Sequence, residues 1–352
     1  MRFKSLILSS LVFFISTSVH AIILKDTGVS EEEIDKNSVR LARSFPQVCR
    51  LVAISPDPAY RERSWTGVLI EKSGLDVFLL SVAHPFIDVH NKKRTTLESI
   101  MFDDANNQKV FGKVTAIYAP KLDSLSSDEK DLVIIKARME SELSIAPLPI
   151  YEGEGRSRSG NPIACCFIGY GHYGINGKTV KKSDGKRRLG YTNVLLSPYK
   201  NNGISFRSAL YSRSPNPMMS TIFEQEHPAF IVQSTQIHPL HESQATLCLG
   251  DSGGPLIFQS AGTYKISGIT SRCEVVQAQE ESSTQSVSSS PTYQFRTIDT
   301  FIPVMSYVSW IKSITKGDIN PETTRIFINS DDDLLSIFHR NLIKEILRAS
   351  RQ

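Results

Sequence analysis

The sequence predicts an all-β protein, and three observations carry that reading. Short runs rich in β-branched and aromatic residues recur along most of the chain. Each run is bounded by turn residues, and no helical periodicity separates them, the pattern of a barrel or sandwich. In order, the runs are 48-VCRLVAI-54, 65-WTGVLIE-71, 77-VFLLSVA-83, 110-VFGKVTAIY-118 and 132-LVIIKA-137. A second series follows: 162-PIACCFIGYG-171, 192-TNVLLS-197, 229-AFIVQS-234, 255-PLIF-258, 264-YKISGIT-270 and 292-TYQFRTI-298.

Flanking segments read differently. Residues 1–21 have the form of a secretory signal: Arg2 and Lys4, the apolar core 6-LILSSLVFFI-15, and a small residue at Ala21. That core is too short to span a bilayer, so cleavage after Ala21 and a secreted or periplasmic location are expected, with no membrane span after cleavage. Residues 22–43 read as a polar surface segment, acidic in its middle. Near the other end, 302-IPVMSYVSWIKSIT-315 has helical spacing at Val304, Tyr307, Val308 and Ile311. A second helix is expected at 331–350, opened by three aspartates and closed by Lys344, Arg348 and Arg351; residues 317–352 are therefore read as a helical extension. Two segments, 176–190 and the Ser-rich 277–291, read as long loops.

Composition is that of a globular chain: 40% hydrophobic, 22% charged, net charge +4 over 352 residues. Without a clustered basic face, that charge gives no reason to expect nucleic-acid binding. The five cysteines are Cys49, Cys165, Cys166, Cys248 and Cys273. An odd number leaves at least one thiol unpaired in the chain, and adjacent Cys165 and Cys166 point to opposite faces of a strand.

The stretch with chemical content is 247-LCLGDSGGPLIF-258. A serine hydroxyl is a poor nucleophile without a neighbouring base, and acyl transfer also needs donors for the developing oxyanion. Glycines around Ser252 let backbone N–H groups converge on one point. Upstream lie an apolar strand ending in Ala83-His84, within 79-LLSVAHPF-86, and an aspartate opening another, Asp131 in 130-KDLVIIKA-137. Other histidines are less suited. His90 lies in a charged loop, and Pro239 between His238 and His241 disfavours the helix a metal-binding pair would use.

Together, Gly250-Asp251-Ser252-Gly253-Gly254-Pro255 and the order His84…Asp131…Ser252 resemble the trypsin/chymotrypsin-like serine peptidases. The resemblance covers roughly residues 44–316. It extends to 169-GYGHYG-174, in place of a Gly-Trp-Gly, and to 307-YVSWIKS-313. It implies two six-stranded antiparallel β-barrels with a C-terminal helix. It also implies a secreted serine endopeptidase acting on protein or peptide substrates through an acyl-enzyme, without metal or cofactor. His84 would be the base, Asp131 its orienter and Ser252 the nucleophile, with Gly250 and Ser252 N–H groups as the oxyanion hole.

The resemblance carries further expectations. Asp251 would bind the amine of a new N-terminus, yet no Arg-Ile-Val-Gly-Gly junction is present; cleavage after Ala21 would expose Ile22-Ile23 instead. Thr246, not an acidic residue, falls at the base of the substrate pocket. Ser271 matches the strand that pairs with substrate backbone. Asp299 falls either on the opposite pocket wall or, as the reading favours, towards solvent. Cys248–Cys273 matches a disulfide bracing the pocket, whereas Pro85 replaces the cysteine that usually follows the base. The alternative function is a latent or inactive binding protein that keeps the fold and acts through a partner.

Overall fold

The computed structural model describes residues 22–24, 30–54, 62–85, 96–103, 108–120, 131–152, 163–175, 183–198, 204–210, 245–247, 249–276 and 296–328. The expected signal segment, the strand at 229–234, the 277–291 loop, the 331–350 helix, and His90, His238 and His241 lie outside them.

The chain opens with β1 (Ile22–Leu24) and α1 (Glu31–Ala42), followed by β2 (Val48–Ile54), β3 (Glu62–Ser73), β4 (Asp76–Val82), β5 (Thr96–Asp103), β6 (Lys109–Pro120) and β7 (Leu132–Met139). Next come β8 (Ile163–Gly169), β9 (Tyr173–Ile175), β10 (Arg188–Pro198), β11 (Ile204–Leu210), β12 (Ala245–Thr246), β13 (Pro255–Ser260), β14 (Thr263–Val276) and β15 (Arg296–Pro303). A 3-10 turn leads into α2 (Val308–Lys316), and β16 (Thr324–Ile328) ends the described chain.

The strands form three sheets. One is a closed six-stranded antiparallel barrel in the order β10-β11-β15-β14-β13-β8. The second has seven strands in the order β16-β6-β5-β2-β3-β4-β7, and β6 pairs with β7 as well. The third is small: β1 lies between β12 and β9.

Side-chain alternation explains why the β4 run is almost wholly apolar. Val77 and Leu79 enter one core with Leu51, Trp65, Ile100, Val114, Val133 and Ile135. Phe78, Leu80 and Val82 enter another, which spans Val48, Val68 and Ile134 of the seven-stranded sheet and Ile168, Ile257, Ile269 and Ile302 of the barrel. A strand buried on both faces reads as a continuous hydrophobic run. The second core is also the contact between the two sheets, so the ends of β4 and β7 are fixed against the barrel.

The segment before β2 is not the plain surface segment expected. It holds α1, capped by Ser30, whose hydroxyl accepts from Glu33 N–H at 3.3 Å. Glu31, Glu32 and Glu33 suit the helix start and Arg40 its end. The helix buries Ile34, Ser38 and Ala42, and the Ser38 hydroxyl donates to Leu189 O on β10 at 2.8 Å. Arg188, 1% exposed, fastens it: the guanidinium pairs with Asp35 and Asp184 and lies 3.6 Å above the Tyr173 ring. Burial alone would raise Asp184, but hydrogen bonds and charge pairing with Arg188 outweigh it and hold the carboxyl at about 2.

Two other expectations need correction. The helix expected from residue 302 starts later, because Ile302 and Pro303 complete β15 and only Val304–Tyr307 begins to coil. The extension after residue 316 is not wholly helical: Thr324–Ile328 pairs antiparallel with β6.

Candidate active site

β4 and β7 are neighbours, with Val82 opposite Leu132. That register delivers the residue just past one strand to the residue just before the other, so His84 meets Asp131. Asp131, 5% exposed, is saturated with donors. Its Oδ1 accepts from Ala83 N–H at 3.0 Å and His84 N–H at 2.7 Å. Its Oδ2 accepts from the Ser271 hydroxyl at 2.6 Å and faces His84 Nδ1 at 2.8 Å. Four donors fill the capacity of an ionised carboxylate. A carboxylate only accepts, so the His84 proton resides on Nδ1. Its Nε2 lone pair is then free to face Ser252 Oγ, 3.1 Å away. The imidazole is 38% exposed, open to a reactant from solvent.

Ser271 reaches Asp131 because of a bulge. The β14–β15 register slips between Thr270 and Arg272, leaving Ser271 outside the ladder. Its strand position suggested substrate pairing; its hydroxyl is also the fourth donor to Asp131.

The serine sits in a loop held largely through main-chain groups. Thr66 N–H donates to Ser252 O at 2.9 Å, and Gly253 N–H to Thr270 O at 2.7 Å. The Thr66 hydroxyl donates to Gly250 O at 2.9 Å and accepts from Tyr170 N–H at 3.1 Å. Gly250 and Gly253 have φ of +96° and +83°, the left-handed region where side chains are strained. At Gly253 a Cβ would also strike Thr66 O and the Ser81 hydroxyl. Among the described residues no acceptor takes the Gly250 or Ser252 N–H. Among these residues the two donors beside the hydroxyl are left for an oxyanion, the kind of donor such a site requires.

Asp251 points the other way. It is fully buried and accepts from Gly171 N–H at 2.9 Å. Nearby, β1 runs beside the chain that supplies this donor, with Ile22 opposite Tyr173 and Ile23 opposite Thr246. The 169-GYGHYG-174 stretch therefore supplies main-chain donors to the Ser252 loop at Gly171 and His172, while Tyr170 N–H reaches it only through the Thr66 hydroxyl. The glycines of that motif were its only sequence signal.

The pocket residues are partly resolved. Thr246 pairs through its backbone in β12. Asp299 does not face solvent: it is 1% exposed on β15, opposite Ser208 and Cys273, and its Oδ2 accepts from Leu247 N–H at 3.2 Å. The chain that follows β12 covers it there. The Cys248–Cys273 pairing lies outside what is described, since Cys248 and the Cys273 side chain are not covered. Cys49, Cys165 and Cys166 are buried free thiols. Burial pushes all three up, Cys166 to about 12, which leaves them unreactive.

No protein-family model matches the chain, and no curated protein is significantly similar to it. The chemistry of the site rests on its own geometry.

Proposed function

We propose that the protein is a secreted serine endopeptidase of the trypsin/chymotrypsin-like kind. The observation that carries this reading is a single hydrogen-bonded line, Ser252 Oγ to His84 Nε2 and His84 Nδ1 to Asp131 Oδ2, drawn from three distant parts of the chain, beside the Gly250 and Ser252 N–H groups that meet no acceptor among the described residues.

In this reading Ser252 Oγ attacks a peptide carbonyl as its proton passes to His84 Nε2. Asp131 stabilises the imidazolium, and the tetrahedral oxyanion accepts from Gly250 and Ser252 N–H. His84 returns the proton to the departing amine, leaving an acyl ester on Ser252 that water hydrolyses by the same route reversed. No metal or cofactor enters these steps.

Finer features of the reading go with it. The additional β6–β7 pairing, and one core fed by β2 to β7, support a second six-stranded barrel with β16 outside it. Buried Asp299, hydrogen-bonded beside Thr246, suits a pocket for a Lys or Arg side chain, with Ser271 on its wall. Signal cleavage after Ala21 would leave the Ile22 amine at the end of β1, near Gly171 and the buried Asp251 carboxylate. A buried carboxylate favours such a charge partner.

The test is labelling of the mature protein by a peptidyl phosphonate, with N-terminal sequencing of the same sample. Labelling that Ser252→Ala abolishes is expected, on a chain beginning at Ile22. A folded wild-type protein that does not label would instead indicate the latent or binding role. Labelling that survives Ser252→Ala would remove Ser252 as nucleophile.

A further inference from the structure

His172 lies in the 169–174 stretch, within reach of the loop that carries the oxyanion donors. Its main-chain N–H donates to Leu249 O at 3.0 Å, and its ring Nδ1 lies 3.2 Å from the same oxygen. Leu249 O belongs to the peptide whose nitrogen is Gly250. In a trans peptide the C=O and N–H point in opposite directions, so whatever grips Leu249 O also sets where Gly250 N–H points. The grip matters here because Gly250, at φ +96°, has no side chain to oppose rotation of that peptide.

We infer that His172 is a positioning residue of the oxyanion hole: its Nδ1–H and main-chain N–H together clamp the Leu249 carbonyl and aim Gly250 N–H at the reacting centre. The inference rests on the peptidase reading above. It requires the His172 proton on Nδ1, because a bare Nδ1 would set its lone pair against the carbonyl's. Neutral Nδ1–H imidazole and imidazolium both meet that requirement. Among the described residues, the charged groups on the adjoining elements include the Asp251 carboxylate held by Gly171 N–H and the Arg188 guanidinium over Tyr173. Gly250 N–H makes the ground state no stronger when it is well aimed, since its acceptor appears only as negative charge builds on the carbonyl. Loss of the clamp therefore falls on kcat and not on KM.

Two measurements on the full mature chain decide the matter. Long-range 1H–15N spectra of histidine-labelled protein, with His172 assigned by difference against His172→Ala, should show the neutral ring protonated at Nδ1. A neutral Nε2–H tautomer overturns the clamp, whether or not the protein is active. In hydrolysis of a peptide ester, His172→Ala should lower kcat about 10-fold, the worth of one hydrogen bond, with KM little changed. Affinity for a peptidyl aldehyde, which forms an oxyanion on Ser252, should fall in parallel. His172→Asn should recover most of the loss, because its amide N–H₂ can donate from near the position of Nδ1. An unchanged kcat in His172→Ala, or a loss confined to KM, overturns the inference. Failure of the wild type to label at Ser252 removes the peptidase reading alone, and the tautomer result still stands.

Discussion

The two halves of the candidate site are held in opposite ways. On the base side a side chain does the holding: the Asp131 carboxylate gathers Ala83 N–H, His84 N–H, His84 Nδ1 and the Ser271 hydroxyl. Three of those donors come from the end of β4, beside β7 in the same ladder. On the nucleophile side the main chain of the loop is held by partners from β3, from the β8–β9 link and from β14. The base side should thus yield to an isosteric change that leaves the fold alone. The nucleophile side should yield most to changes in backbone shape, which should reach stability too, and only modestly to loss of a side-chain grip such as that of His172 on Leu249 O.

The sharpest way to break the first half is Asp131→Asn. The amide keeps the shape and can still accept from Ala83 and His84 N–H, but it presents N–H₂ towards His84 Nδ1. The ring must then place its proton on Nε2, where it can no longer take one from Ser252. A fall of about 10⁴ in the rate of Ser252 labelling is expected, as for loss of the orienting carboxylate in a comparable triad. Unfolding by urea should shift little. A rate loss matched by a large loss of stability would show that Asp131 holds the fold instead.

The matching test on the other half is Gly253→Ala. The new methyl would need φ near +83° and would meet Thr66 O and the Ser81 hydroxyl. The loop must move, and with it the Ser252 N–H. The expected loss of labelling is about 10²–10³, the effect of removing one oxyanion donor. Stability should fall by about 1–3 kcal/mol, as for strain at a special backbone conformation. Labelling at the wild-type rate would mean that the loop adapts and that its backbone is not what positions the serine. The sizes of the two stability changes, set side by side, measure the contrast between the halves directly.

The same contrast decided what could be read from the sequence. His84, Asp131 and Ser252 announce themselves, since each is a reactive side chain at the end of an apolar strand or within a glycine-rich turn. Strand periodicity likewise anticipated most of β2 to β8. The anchors did not show. Thr66 is an ordinary strand residue whose hydroxyl happens to reach Gly250 O across 184 positions, and nothing local marks it. Ser271 was placed by its neighbours on a strand, but its bond to Asp131 depends on a one-residue slip against β15. Of the two placements open to Asp299, the favoured solvent-facing one fails for a related reason: the chain around Leu247 covers that face of β15, which the strand's own residues do not encode. α1 was missed although Ser30 and the acidic first turn form a good cap; its buried stripe is only Ile34, Ser38 and Ala42, too polar to read as an amphipathic face.

A region remote from the chemistry supplies the smallest effect and a control for the other two. Asp184 is paired with Arg188 and held at about 2, below its ordinary value near 3.9. A depressed carboxyl stabilises the fold fully above its unfolded pKa and loses that contribution as pH falls through the folded one. The window is therefore about pH 4 down to pH 2. Across it the wild type should lose about 1–2 kcal/mol relative to Asp184→Asn, allowing for the group's partial exposure. Urea unfolding at stepped pH reads the difference. Above pH 4 the two curves should run parallel, with the wild type the more stable. At neutral pH, Ser252 labelling by Asp184→Asn should match the wild type, because the Arg188 clasp ties α1 to β10 and touches neither half of the site. A slowed label in that variant would show that the clasp reaches the nucleophile loop through Tyr173 and the chain that carries Gly171.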